Sequence, residues 1–217
     1  MRRAAILLVL LGGCATAQSA RVLPRGRTDV TIAIGDLTRV DEITDERDPH
    51  QGSRWFGHVA VRRGITERVD VAAVLARTPG NVASTTFLAL EPKLQLTPAR
   101  MRTTVSIGVM TGLAWSEFVL PAEINPRRVF DREAYVIAPA AYVGYDLSPA
   151  VELIAAPRCY LFLPARPDDE TDTGVGGALG VRYRGDGGAW VVHPELAFST
   201  AHDASFVTLA VALSLGR

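Results

Sequence analysis

From residue 28 onward, apolar and polar positions alternate with a period of two, the spacing of strands whose two faces meet different surroundings. The last segment shows it most clearly: Val207, Leu209, Val211, Leu213 and Leu215 fall on one face, and Thr208, Ala210, Ala212 and Ser214 on the other. Upstream, Val175, Leu179, Val181 and Tyr183 oppose Gly176, Ala178, Gly180 and Arg182. Trp190, Val192, Leu196 and Phe198 oppose Val191, His193, Glu195 and Ala197. Leu88, Leu90, Leu94 and Leu96 oppose Ala89, Glu91, Lys93 and Gln95, and Val105, Ile107, Val109 and Leu113 oppose Thr104, Ser106, Gly108 and Gly112. Further candidates run over 30–35, 55–62, 68–76, 133–145 and 151–161. The pattern predicts about ten strands, with roughly 8 to 12 compatible, and most approach the roughly 9–11 residues that a tilted membrane strand needs.

Connections between these runs alternate in length. Short turns rich in turn-forming residues lie at 64–67, 97–100, 147–149 and 185–188, and longer polar connections at 36–54, 116–132 and 164–173. Such alternation fits a barrel with one rim of periplasmic turns and one rim of exterior loops, both termini lying on the turn side. The expected fold is therefore all-β: a transmembrane antiparallel up-and-down β-barrel.

Residues 1–17 read as a secretory signal peptide, with Arg2 and Arg3 ahead of an apolar run over 4–11 that is too short to cross a bilayer as a helix. Two processing sites compete. Leu11-Gly12-Gly13-Cys14 matches a lipobox and would place a lipid on Cys14, while Ala15-Thr16-Ala17 offers an ordinary A-x-A site; the lipobox is favoured. Either way Cys159 is left alone, so no disulfide framework is expected. Residues 18–27 would then be a short periplasmic linker and 28–217 the barrel domain. No later run of 18 apolar residues exists, which excludes a helical span and leaves strands as the only route into a membrane. Lys plus Arg and Asp plus Glu balance at 23 each, so a nucleic-acid partner is not expected.

Alternation alone does not say whether the apolar face meets lipid or a dry core. The opposite face decides. It is largely Gly, Ala, Ser and Thr, with a few charges of both signs: Glu91, Lys93, Glu152, Arg158, Arg182, His193 and Glu195. Small residues with scattered opposite charges suit a crowded polar interior better than a water-bathed exterior. Aromatic residues point the same way, with Trp55, Trp115 and Tyr135 near long-loop ends and Tyr145, Tyr183 and Trp190 near short-turn ends, as two interfacial girdles require. Against this, Pro92, Pro139, Pro157 and Pro194 fall inside expected strands, where each removes a ladder donor.

The chain resembles bacterial outer-membrane β-barrel proteins, particularly those bearing a lipobox. The likeness rests on Leu11 to Cys14, on Arg21-Val22-Leu23-Pro24-Arg25-Gly26-Arg27, and on Arg63-Gly64-Ile65-Thr66-Glu67-Arg68-Val69-Asp70-Val71, which is similar to a recurrent periplasmic turn of such barrels. Asp146-Leu147-Ser148-Pro149-Ala150-Val151-Glu152 is a looser second copy. These motifs imply assembly in the outer membrane, with its lipid as partner; they name no substrate. The class usually ends on an aromatic residue, whereas this chain ends Leu215-Gly216-Arg217.

Catalytic signals are sparse. His193 and Glu195 share the interior face at a spacing of two and could form an acid/base or metal pair, although such residues more often satisfy one another inside a small barrel. His202-Asp203 has no nucleophile motif beside it and reads as a turn pair. The acidic runs Asp41-Glu42, Asp45-Glu46-Arg47-Asp48 and 168–172 lack calcium-loop spacing, and the glycines at 174, 176, 177 and 180 lie in a strand rather than at a strand-to-helix turn. No cofactor, metal or catalytic residue is expected. The sequence favours a non-enzymatic outer-membrane barrel with a structural or surface-interaction role, over a narrow pore for small solutes, a soluble lipid-anchored periplasmic barrel binding an apolar ligand, or an outer-membrane hydrolase.

Overall fold

The computed structural model describes residues 18–39, 53–79, 83–119, 128–165, 171–201 and 204–216. They form ten strands: β1 (Thr28–Arg39), β2 (Ser53–Gly64), β3 (Val69–Thr78), β4 (Ala83–Gln95), β5 (Thr103–Val119), β6 (Arg128–Ser148), β7 (Val151–Pro164), β8 (Asp172–Gly185), β9 (Trp190–Ala201) and β10 (Ala204–Gly216). Each pairs antiparallel with its sequence neighbour, and β1 pairs with β10 from Asp29↔Gly216 to Arg39↔Phe206, which closes the barrel. A single 3-10 turn, Asp186–Gly188, joins β8 to β9.

Strands outrun the apolar pattern because ladder bonding continues into polar residues. The expected segments 30–35 and 133–145 are the middles of β1 and β6. Loops shrink accordingly: 116–132 becomes 120–127 between strands, and 36–54 becomes 40–52. The alternation of long and short connections is looser than the sequence suggested. At the loop end β9 and β10 are separated only by 202–203, while at the turn end β4 and β5 are separated by 96–102.

Side chains sort by parity. Val30, Ile32 and Ile34 on β1, Leu88, Leu90 and Leu94 on β4, and Leu209, Val211 and Leu213 on β10 all point outward, and Leu209 remains 63% exposed. In a water-soluble barrel these residues would form the core. Here they form an outer apolar surface, while Glu91 and Lys93, each 1% exposed, face the lumen. A lipid belt around a polar interior is the arrangement of a transmembrane barrel.

All four prolines lie in strands and face outward. Each keeps one ladder and interrupts the other. Pro92 pairs with Val71 while β4–β5 pairing stops at Leu90↔Thr111 and resumes at Lys93↔Gly108. Pro139 pairs with Val109, and Pro157 with Gly177, while β6–β7 pairing breaks between Ile137↔Leu161 and Ala140↔Arg158 and again before Val143↔Ala155. Pro194 pairs with Val211 while β8–β9 breaks between Gly180↔Glu195 and Tyr183↔Val192. A missing N–H is confined in this way to one edge of its strand.

Candidate functional site: the filled lumen

The interior has two layers. Toward the loop end it is apolar: Phe56, Phe87, Met110, Val136, Tyr160, Phe162 and Phe206 pack into one cluster over a wall of alanines. The Tyr160 and Phe162 rings stack with centroids 6.2 Å apart. Alternating large and small residues fill a tube of this width as they fill any core. The sequence reading placed small and charged residues throughout the interior. It missed this layer because Phe56, Phe87 and Phe206 are each the one large apolar residue on the inward row of their strand.

Toward the turn end the lumen is polar and charged. Glu91 on β4 accepts hydrogen bonds from the Tyr142 hydroxyl on β6 and, at 3.0 Å, from Arg158 Nη2 on β7. Arg158 Nη2 also donates to the Tyr142 oxygen at 2.5 Å. Lys93 and Arg158 flank the Tyr142 ring at 5.5 and 5.9 Å from its centroid, within cation–π range. Below this lies Asp70, 3.6 Å from Lys93 Nζ and 3.7 Å from Arg62. Glu152 gathers Arg182 at 3.3 Å and Arg184 at 2.5 Å. Glu91, Asp70 and Glu152 each have a cation beside them, as buried charge requires.

Into this layer runs the chain ahead of β1. Residues 18–27, expected as a periplasmic linker, enter the barrel mouth, and Gln18 and Ala20 are buried. Gln18 Nε2 donates to Glu91 Oε2 at 2.6 Å, and Ser19 Oγ to Glu152 at 3.1 Å. Lys93 Nζ donates to the carbonyls of Ser19 and Arg21 at 2.7 and 3.1 Å, and Ser106 Oγ to that of Ala20 at 2.5 Å. The backbone N–H groups of Val22 and Leu23 donate to Gln95 Oε1 and Asp70 Oδ2 at 3.0 and 2.9 Å. Arg21 pairs with Asp146 and donates to the carbonyls of Ala99 and Met101 in the β4–β5 turn. Gly26 and Arg27 then bond to Gly64, handing the chain to the wall at Thr28. A cleft of about 450 Å³ lies between this segment and the wall, lined by Arg27, Arg62, Arg182 and Arg184 among others.

The structure thus brings together Glu91, Lys93, Arg158, Glu152 and Arg182 around the inserted segment. His193 and Glu195 stand apart from this cluster, with His193 Nε2 3.8 Å from Glu195 Oε2. His193 packs over Gly180, where an added Cβ would overlap the ring. His58, unmarked in the sequence, lies on one cross-barrel row with it: His58↔Ala33↔Ala212↔His193. No ring nitrogen of either histidine has a hydrogen-bond partner among the described residues. No group of three or more His, Cys, Asp or Glu among the described residues is arranged to hold a metal ion. Tyr142, Arg62 and Asp70 were also missed, although parity places each on the inward row of its strand, and Ser106, assigned to the polar face, was not singled out as a partner. Residues 41–48, 168–170, His202, Asp203 and Cys14 lie outside the described residues.

Of the aromatic residues singled out, Trp55 and Tyr135 project outward near the loop end, with Trp115 half-buried there. Tyr145 and Tyr183 project outward near the turn end, where Trp190 tilts against Tyr183 with centroids 5.8 Å apart. Cys159 is an exposed free thiol on the outer face of β7.

Gly144 makes room for the inserted segment. A Cβ there would stand 2.8 Å from Ala20 Cβ and 2.5 Å from Glu152 Oε1. Gly144→Val is therefore expected to dislodge residues 18–21 while leaving the ladders intact. Hydrogen exchange reads this: the Val22 and Leu23 amides, slow in the parent protein, should exchange fast in the variant. Unchanged protection would show that the wall does not clamp the segment.

Taken together, closed antiparallel pairing, an outward apolar belt and a lumen filled by an apolar and a charge-paired layer define a ten-stranded transmembrane β-barrel. Among solved structures it is similar to the translocator domain of the autotransporter NalP from Neisseria meningitidis, at 12% identity over 89% of each chain and a TM-score of 0.50. It is also similar to an outer membrane channel from Pseudomonas putida F1, at 8% identity over 91% of this chain and 98% of that one, with a TM-score of 0.49. A third is the outer membrane protease OmpT from Escherichia coli, at 11% identity over 92% of this chain and all of that one, with a TM-score of 0.44. At such identities the likeness reaches the fold alone. No protein-family model and no curated protein matches the sequence.

Proposed function

We propose that the protein is a bacterial outer-membrane barrel closed to solutes, non-enzymatic, with a structural or surface-interaction role carried by its loop end. The observation that supports this reading is the filled lumen, with an apolar layer above a charge-paired layer and residues 18–23 lodged in the mouth. A conduit needs a continuous water path, and hydrolysis needs a nucleophile or activated water open to substrate. His193 and Glu195, the pair best suited to acid/base work, are buried on the lumen wall. Outer-membrane lipid is the partner that the outward leucines and valines fit, and the aromatic residues at the two rims suit its interfaces.

Single-channel recording of the folded protein in planar bilayers tests the closed state. The expected record is a flat baseline; steady unitary conductance would replace this reading with a narrow pore. Fractionation with a heat-modifiability gel tests location, the folded barrel being expected in the outer-membrane fraction and migrating anomalously before boiling.

A further inference from the structure

We propose that the turn-end mouth of the barrel binds a small phosphate dianion, either inorganic phosphate or the terminal phosphate of a small solute. Arg27, Arg62, Arg182 and Arg184 hold it in the cleft between the inserted segment and the wall. That cleft, of about 450 Å³, reaches the turn end at Gly188 and Gly216. Among the described residues its lining carries five arginines, Arg21 with those four, against a single carboxylate, Asp29. Behind the lining, each acid serves two cations. Asp70 stands 3.7 Å from Arg62 and 3.6 Å from Lys93, both beyond hydrogen-bond distance. Glu152 takes Arg182 and Arg184 on the same oxygen, at 3.3 and 2.5 Å. Asp146 takes Arg21 and, at 3.5 Å, Arg184 again. With Arg27 and Asp29 included, six cations face four carboxylates among the described residues, a formal surplus of two.

The wall itself offers no remedy for that surplus. An arginine does not shed its proton in a protein. Arg62 and Arg182 are each 7% exposed, so mobile ions of the bulk screen them poorly. A cleft lined by one sign of charge between low-dielectric walls concentrates the opposite ion. The cations also converge on one volume. Arg182, Arg62 and Lys93 all act electrostatically on Asp29, and Arg184 and Asp29 both act on Arg182. Arg27, exposed, borders the same cleft. Guanidinium forks around a small volume suit a tetrahedral oxyanion, whose oxygens accept their paired N–H donors. Asp29 opposes the anion but is outnumbered on the lining. A dianion matches the surplus of two, whereas chloride and the phosphodiester of a membrane lipid carry one charge each.

The test is calorimetric titration into the folded full chain, in a non-ionic detergent with ionic strength held constant by sodium chloride. One arm uses inorganic phosphate and the other glycerol phosphate, and the tighter arm names the source. Saturable binding at one site per barrel is expected. Arg182→Gln should weaken it about tenfold, the loss of one charge-assisted hydrogen bond to a buried anion. Arg27→Gln, at an exposed side chain, should weaken it about threefold, and keeps the test open if Arg182→Gln does not fold. Arg68→Gln and Arg100→Gln, exposed on the same rim but outside the lining, should leave it unchanged. Absence of saturable binding, or equal weakening by the Arg68 and Arg100 variants, would overturn the proposal. So would displacement of bound phosphate by short-chain phosphatidylglycerol at equal concentration, which would give the site to a lipid headgroup. Planar-bilayer recording decides the closed-lumen reading separately, so either can fail while the other stands.

Discussion

Leu88→Arg is expected to destabilise the folded barrel by about 2–4 kcal/mol in lipid vesicles, the cost of arginine on a barrel's lipid face near the midplane. Leu88 sits at the centre of β4, points outward, and is flanked across the ladders by Leu75 and Leu113, both also outward. A guanidinium there would have only the leucines of the neighbouring strands beside it. Urea titration in vesicles, followed by tryptophan fluorescence, measures the loss. The control is Leu147→Arg: Leu147 lies at the turn end of β6 beside the interface, and should cost no more than about 1 kcal/mol. Equal, small effects at both positions would mean that the leucine face meets water, and the membrane assignment would fall.

Glu91→Ala should cost about 3–5 kcal/mol, since it strips the acid from a buried pair and leaves Arg158 charged in a dry interior. The same change frees the Tyr142 hydroxyl and the Gln18 amide from a shared acceptor, so three elements lose their anchor together. Removing Arg158 as well, in Glu91→Leu/Arg158→Leu, should recover much of the loss, because two apolar side chains carry no unpaired charge. A double-mutant cycle on urea midpoints checks this. If the double variant were as unstable as the sum of the single ones, Glu91 and Arg158 would not be a coupled pair. Hydrogen exchange at Val22 and Leu23 in the Glu91 variant would add whether the inserted segment depends on this network or on Lys93 and Asp70 alone.

The barrel was legible in the chain because side-chain parity is a local, covalent property. Residues at even spacing in a strand share a face whatever their neighbours do, so Leu209, Val211 and Leu213 could be assigned to one surface, and Thr208, Ala212 and Ser214 to the other, before any partner was known. The same parity put Glu91, Lys93, Glu152, Arg158 and Arg182 in the lumen. It could not say which of them meet. Glu91 and Arg158 are 67 residues apart, and their approach depends on closure, strand stagger and barrel width, none of which alternation encodes.

Three features were decided only by the tertiary structure. Phe56, Phe87, Met110, Tyr160 and Phe206 close the loop half of the lumen because ten tilted strands bring isolated large residues to one level. The prolines are tolerated because each gap falls on a single edge of its strand, which depends on the pairing register. Residues 18–23, with no periodicity to mark them, hold the turn-end lumen because Gly144 leaves space and Lys93, Ser106, Asp70 and Glu152 offer partners from different strands. Sequence patterning fixes which way a side chain points. What it touches is settled by where distant strands come to lie, and in a closed barrel that is known only once the last strand has met the first.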